Sequence, residues 1–507
     1  MVSRLIAHIL GAILTLFIVS ALTPSLALAQ AKYWQPTSGN NWNTAANWSP
    51  SGVPTSANTV YFDSAYSTAN CNIDVNVSVL GLVINSGYTG TITQNSTRTV
   101  TVGTGGYSQA DGTFSGGDSE VSVDNFTLSG GTFVAPSTFL TVLASVGSSR
   151  TIFTFSGGIF THSSGTLRFR TIPYTDNVRN LTISLANALT VNNLIYEAGA
   201  QARDFDGDRA WTLSGTAAKF IVEGDFTIRR ATGFTPFSNQ TSRPIANGGT
   251  IDLKGNLNIN TGAYGGSTLV KFNSTGNQTY SYTGGTGPSI EIDKTAGSVS
   301  AAAGTTELEM RAFTLTQGTF NAPTGNLTVF PITTSAATVF TYTAGTFNHS
   351  SGTLRFRNVG TFAPSGTAVT YSISIASALT VNNLTYEAGT STAYGDTDRN
   401  LTLVGTDPRF IVLGEFLMRR VTGFALDSTQ TARPVANSGT IELRGTLNIG
   451  TGAYGGTTVL KFNGSGDQTY TYTDGIAPHI EIDKTTGSVS AAAGTTDLQA
   501  RTFTHTQ

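Results

Sequence analysis

Along most of this chain apolar and polar residues alternate one by one in short runs. In Thr250 to Ile259 the positions Ile251, Leu253, Leu257 and Ile259 alternate with Asp252, Lys254, Asn256 and Asn258, the period of two of a strand with one buried face. Phe220, Val222, Phe226 and Ile228 alternate in the same way with Glu223, Asp225, Thr227 and Arg229, and Leu167 and Phe169 point inward where Arg168 and Arg170 point outward. Turn-forming clusters separate the runs: Ser129-Gly130-Gly131, Asn192-Asn193, and Thr261 to Gly266. Outside the N-terminal leader no stretch has an apolar period of 3.6, so the pattern predicts an all-β fold with almost no helix.

Whole phrases also recur. FTLSGGTF, Phe126 to Phe133, returns as FTLTQGTF at Phe313 and begins again as FTHTQ at Phe503. The two intervals are nearly equal, at about 190 residues, and such spacing marks tandem duplication. The chain therefore divides into residues 1–29, a leader; 30–125, an N-terminal cap with the first coils; 126–312, a first repeat; 313–502, a second; and 503–507, the start of a third, as expected of a piece of a longer array. The offset between the copies lengthens slightly between Thr171 and Ile183, which predicts an exposed connection there and in its counterpart, Asn358 to Ile373. ALTVNNL, TGAYGG, EIDK and GSVSAAAGTT are identical in the two copies.

Two all-β arrangements fit. One is a parallel β-solenoid, or β-helix, built from tandem repeats of about 190 residues, in which each strand stacks on its equivalent about 4.8 Å along the axis. The other is tandem β-sandwiches of roughly 100 residues each. Recurrence inside the large repeat favours the solenoid, because the interval from Phe126 to Phe153 is the same as that from Phe313 to Phe340. Coils of roughly 20 to 25 residues would build a rod on the order of 100 Å long.

The leader carries one charge, Arg4, an apolar run from Ile9 to Val19, and Ala27-Leu28-Ala29. That is the pattern of a cleaved secretory signal peptide and predicts a secreted or cell-surface protein. No later apolar run is long enough to span a bilayer. Charged residues make up only 11%, and the formal charge of −2 becomes −3 without Arg4, so the chain has no electrostatic footprint for nucleic acid. The lone Cys71 has no partner for an intramolecular disulfide and reads as a buried apolar residue.

Three of the four tryptophans, Trp34, Trp42 and Trp48, stand near the start of the mature chain. They could form an aromatic platform for sugar rings or close the open end of a solenoid core. The opening W…GNNWNTAANWS…VP…VYFD, then VSVLGLVINSGYTGTITQ and the SGGTF phrases, resemble the large secreted bacterial surface proteins with β-solenoid, autotransporter-like or adhesin-like repeats. The resemblance implies an extracellular, elongated, adhesive or structural protein, and it carries over no catalytic residues.

Few residues suggest chemistry. Asp204, Asp206 and Asp208 alternate in RDFDGDR, as carboxylates converging on calcium would; the second copy keeps Asp396 and Asp398 but has Tyr394 in place of Asp204, and no bidentate Glu follows. Acidic turn residues are the simpler reading. His162 and His349 occupy equivalent places in HSSGTLRFR without an adjacent carboxylate to orient the ring. Arg168, Arg170, Arg355 and Arg357 would line outward strips, either solvated or facing anionic glycans. The expected role is a structural or adhesive surface protein without catalytic activity, with surface glycans or envelope components as partners. The alternatives are a β-helix enzyme acting on polysaccharides and a glycan-binding module.

Overall fold

A computed structural model of the chain describes residues 30–144, 149–171, 179–199, 208–231, 243–331, 335–360, 369–390, 398–421 and 432–507. These form a parallel β-solenoid with three faces. One coil shows the plan: Phe126–Leu128 lies on the first face, Thr132–Val134 on the second and Phe139–Ala144 on the third. The chain then returns to the first face at Arg150–Phe155. The register is residue on residue, Phe126 with Phe153, Thr132 with Ile159 and Phe139 with Thr166. Among the described residues every ladder is parallel except the pairing of Tyr33 and Trp34 with Ser49 and Trp48 at the cap. Tandem sandwiches, which consist of antiparallel sheets, are therefore not the architecture.

Parallel stacking in register puts like residues over like. Inward aromatic rings form columns: Tyr107, Phe126 and Phe153 stack nearly parallel with centroids 5.1 and 5.0 Å apart. Phe114, Phe133 and Phe160 form a second column at 5.1 and 5.6 Å. The columns meet edge to face, Phe126 against Phe133 at 4.9 Å, so the packing is offset-stacked along the axis and T-shaped across it, the two arrangements aromatic pairs favour. One buried core runs from Trp34 to Ile480. The one helical element among the described residues is a single 3-10 turn, Ala45–Asn47, and no described helix is long and apolar enough to cross a membrane.

Coil length varies more than the repeat pattern predicts. Phe126 stacks on Tyr107 and Pro244 stacks on Arg209, and the second step takes almost twice as much chain as the first. The ladder fixes the strands and leaves the corners free to grow, so added residues collect in the connections.

The two copies join without a seam. Ile290 and Ile292 at the end of the first stack on Phe313 and Leu315 at the start of the second. They are, however, offset in rotation. After Pro244–Asn247 the first face continues through Tyr264, Thr286 and Leu308–Met310. Phe313 therefore arrives on the second face, although its equivalent Phe126 is on the first. Each copy spans a whole number of coils plus one third, and corresponding residues move on by one face.

The TGAYGG phrase shows why some turn residues recur. Gly266 has φ +118, and a Cβ there would lie 1.9 Å from the carbonyl oxygen of Ala246 in the coil below; Gly456 and Ala436 repeat this at 1.8 Å. No side chain fits in that gap, so both copies keep glycine.

Candidate functional site

The densest chemistry outside the core is a pair of equivalent ion clusters. In the first copy Glu197 sits between Arg170 of the coil below and Arg229 of the coil above. Its carboxylate has no exposed surface; Arg229 donates to Oε1 at 2.8 and 2.5 Å, and Arg170 Nε lies 3.6 Å from Oε2. Neighbouring Arg168 turns to Glu120 at 2.8 Å and Thr141 at 3.0 Å, stacked over the Phe139 ring. In the second copy Glu387 is likewise buried between Arg357 and Arg419. There Arg355 also donates to it, at 3.0 and 2.5 Å, so three guanidinium groups surround one carboxylate.

Adjacent register positions explain these clusters. Outward side chains of stacked strands sit close together, so a Glu between two Arg rows is shared by both. Burial holds the Arg357 guanidinium below its usual pKa, and Arg355 beside it adds to the effect. Arg170 is lowered in the same way, chiefly by burial. The predicted strips are thus half-buried ion clusters with an excess of positive charge. By the rotation between copies, the first lies on the third face and the second on the first face.

The aspartates raised as calcium ligands divide. Asp204, Asp206 and Asp396 lie outside the described residues. Asp208 accepts two hydrogen bonds from Arg243, at 2.9 and 2.9 Å, and Asp398 accepts two from Arg433, at 2.9 and 3.1 Å. Each arginine stacks on a tyrosine of the next coil: Arg243 lies 3.4 Å over Tyr264, and Arg433 lies 3.2 Å over Tyr454. A second arginine takes a longer position on each ring, Arg311 at 4.9 Å and Arg501 at 5.0 Å. Among the described residues no group of three or more His, Cys, Asp or Glu side chains is placed to hold a metal ion.

All three N-terminal tryptophans are inside the cap. Trp34 and Trp42 pack edge-on against Trp48 at 5.0 and 4.7 Å, with Phe62 beneath. Trp34 Nε1 donates to the Ala69 carbonyl at 3.0 Å and Trp48 Nε1 to that of Trp42 at 2.8 Å. Their faces cover one another and the first coil, leaving no open indole for a sugar ring. The aromatic surface of the cap is tyrosine: Tyr33 is stacked between Tyr61 at 5.2 Å and Tyr66 at 4.1 Å, and Tyr66 is 40% exposed. Alternation could have found it, since Tyr33 and Tyr61 take the outward phase beside inward Trp34, Val60 and Phe62.

His162 Nε2 comes within 3.4 Å of Glu223, a carboxylate supplied by a later coil and distant in sequence. The second copy has Leu413 at the position of Glu223, and the His349 ring there meets the Ser350 carbonyl. Cys71 is fully buried, and burial raises its thiol pKa well above the usual value. No family model, no curated protein and no solved structure matches this chain.

Proposed function

We propose that this chain is a secreted or cell-surface rod with a structural and adhesive role, of the kind found in repetitive bacterial surface proteins, and that it works without catalysis. The observation that carries this reading is the junction of the copies. The ladder from Ile290 to Phe313 and from Ile292 to Leu315 continues the same core in the same register. A unit that joins its copy through its own coil geometry can be added or removed without a new interface, which suits a protein whose length is its function. The leader, read as a signal peptide, supports export. The low charge and hydroxyl-rich outer positions support contact with carbohydrate-rich surroundings.

The test is adhesion under flow. Beads coated with the protein are passed over immobilised cell-envelope and host-type polysaccharides, and the effluent is assayed for new chain ends. Retention with no released ends is the expected outcome. Release of reducing or unsaturated ends would replace this reading with that of a polysaccharide-cleaving enzyme.

A further inference from the structure

A groove of about 490 Å³ opens where the two copies meet. Its floor comes from the last coils of the first copy, with Asn247, Tyr264, Ser267, Ser289 and Arg311; its far wall comes from the second, with Pro331 and Val339. Such a volume suits a small ligand.

Arg311 gives the groove its character. The residue is 6% exposed, and no carboxylate lies within salt-bridge distance of it among the described residues. Nη1 donates to the Phe330 carbonyl at 2.9 Å and Nη2 to the Tyr264 carbonyl at 3.0 Å, and the guanidinium stacks on both rings. Two of its five N–H groups are thereby used, and Nε is buried without a partner. The neighbouring Arg243 is neutralised by Asp208, and Glu309, two residues before Arg311, accepts from Thr286 and attracts Arg311 only from beyond contact distance. Arg311 therefore has no carboxylate in direct contact among the described residues. Such a buried charge is unfavourable unless an anion completes it. The other lining groups are of two kinds, hydroxyl or amide donors and acceptors at Asn247, Ser267 and Ser289, and apolar patches at Ile245 and Val339.

We propose that this groove binds an acidic sugar: the carboxylate pairs with Arg311, the ring lies against the apolar wall, and the hydroxyls meet Ser267, Ser289 and Asn247. The lining of the site comes from both copies. The equivalents of Tyr264 and Arg311 in the second copy are Tyr454 and Arg501, with the guanidinium 5.0 Å from the ring centroid. The proposal does not depend on the adhesive role and would hold for a rod of any purpose.

The experiment is calorimetric titration of the whole protein with glucuronate and galacturonate, and with glucose and galactose as neutral controls. Saturable binding of a uronate at least ten-fold tighter than its neutral sugar is expected. Arg311→Gln should abolish that preference, and Arg501→Gln should leave it unchanged. In case Arg311→Gln fails to fold, Thr338→Trp at the exposed rim blocks the groove with the core intact and should weaken uronate binding at least ten-fold. Equal binding of acidic and neutral sugars, no saturable binding of either uronate, or binding unchanged by Thr338→Trp would overturn the proposal.

Discussion

Phe126 and Phe313 open the same phrase in the two copies and lie on different faces of the solenoid. Phe126 stacks between Tyr107 and Phe153 on the first face. Phe313 pairs with Ile290 and stacks on Phe340 on the second. Any feature that recurs once per copy thus follows a spiral around the rod instead of a line along it. The Glu197 and Glu387 clusters obey that rule, and a further identical copy would place its cluster on the one face these two leave vacant.

Truncating one ring should open the rod locally. Phe313→Ala removes an aromatic side chain that is 1% exposed, a loss of about 3 to 5 kcal/mol. In a nearest-neighbour stack the damage stays with the adjoining coils. Hydrogen exchange should quicken in Ser289–Ala301 and Ala337–Tyr342 and stay unchanged in Asn58–Phe62.

The buried carboxylate of the second cluster should matter more than any one of its arginines. Glu387→Gln leaves three guanidinium groups facing a neutral amide and should cost about 3 kcal/mol in denaturant unfolding. Arg419→Gln leaves Glu387 with Arg355 and Arg357 and should cost about 1 kcal/mol. An equal cost for the two variants would show that the carboxylate does not organise the cluster.

Glycine substitutions separate close approach from simple turns. Gly266→Ala meets the Ala246 carbonyl and should lower the melting temperature sharply. Gly304 also has positive φ, +80, but nothing lies within 4 Å of its added Cβ, so Gly304→Ala should cost only about 1 kcal/mol.

Stability should fall at both ends of the pH scale. Burial raises the phenols of Tyr107, Tyr196 and Tyr386 and pushes Tyr371 up to about 12. A folded-state pKa above the unfolded value means a contribution that is complete below about pH 10 and lost above it, at about 1.4 kcal/mol per pH unit for each group. Cys71 acts in the same direction from about pH 9. In acid the sign reverses. Hydrogen bonds from Lys271 and Gln317 hold Asp293 below its usual value, so its contribution is present above about pH 4 and fades below. Melting temperature against pH should therefore show a plateau from about pH 5 to 9, and the tyrosinate absorbance of these four buried side chains should appear only as the rod unfolds.

Much of the fold was legible because a strand's period of two is local. Ile251 and Leu253, or Phe220 and Val222, declare their inward faces without reference to anything distant. The recurrence of phrases inside the large repeat likewise favoured the parallel stack over sandwiches. The rotation of one third of a turn was not legible, since it depends on how many strands fit between Phe126 and Phe313, and turns such as Tyr264 and Thr286 count as rungs without reading as strands. Nor could the sequence show which polar residues meet: Arg311 and Tyr264 are far apart along the chain, and Glu197 and Arg229 are brought together by a coil whose length the corners decide. The tryptophans illustrate the limit of composition, because the same three residues suit a sugar platform or a core plug and only packing distinguishes them.

The most direct test of the stacking is disulfide formation across the copy junction in a Cys71→Ser background. Glu291 and Thr314 are register partners on outward positions of the second face, at a separation a disulfide can close, so Glu291→Cys with Thr314→Cys should oxidise rapidly. Thr286 lies on the first face, and Thr286→Cys with Thr314→Cys should remain reduced. Rapid oxidation of the Thr286 pair with a slow Glu291 pair would mean that the copies stack without the one-third rotation, and would contradict the architecture described above.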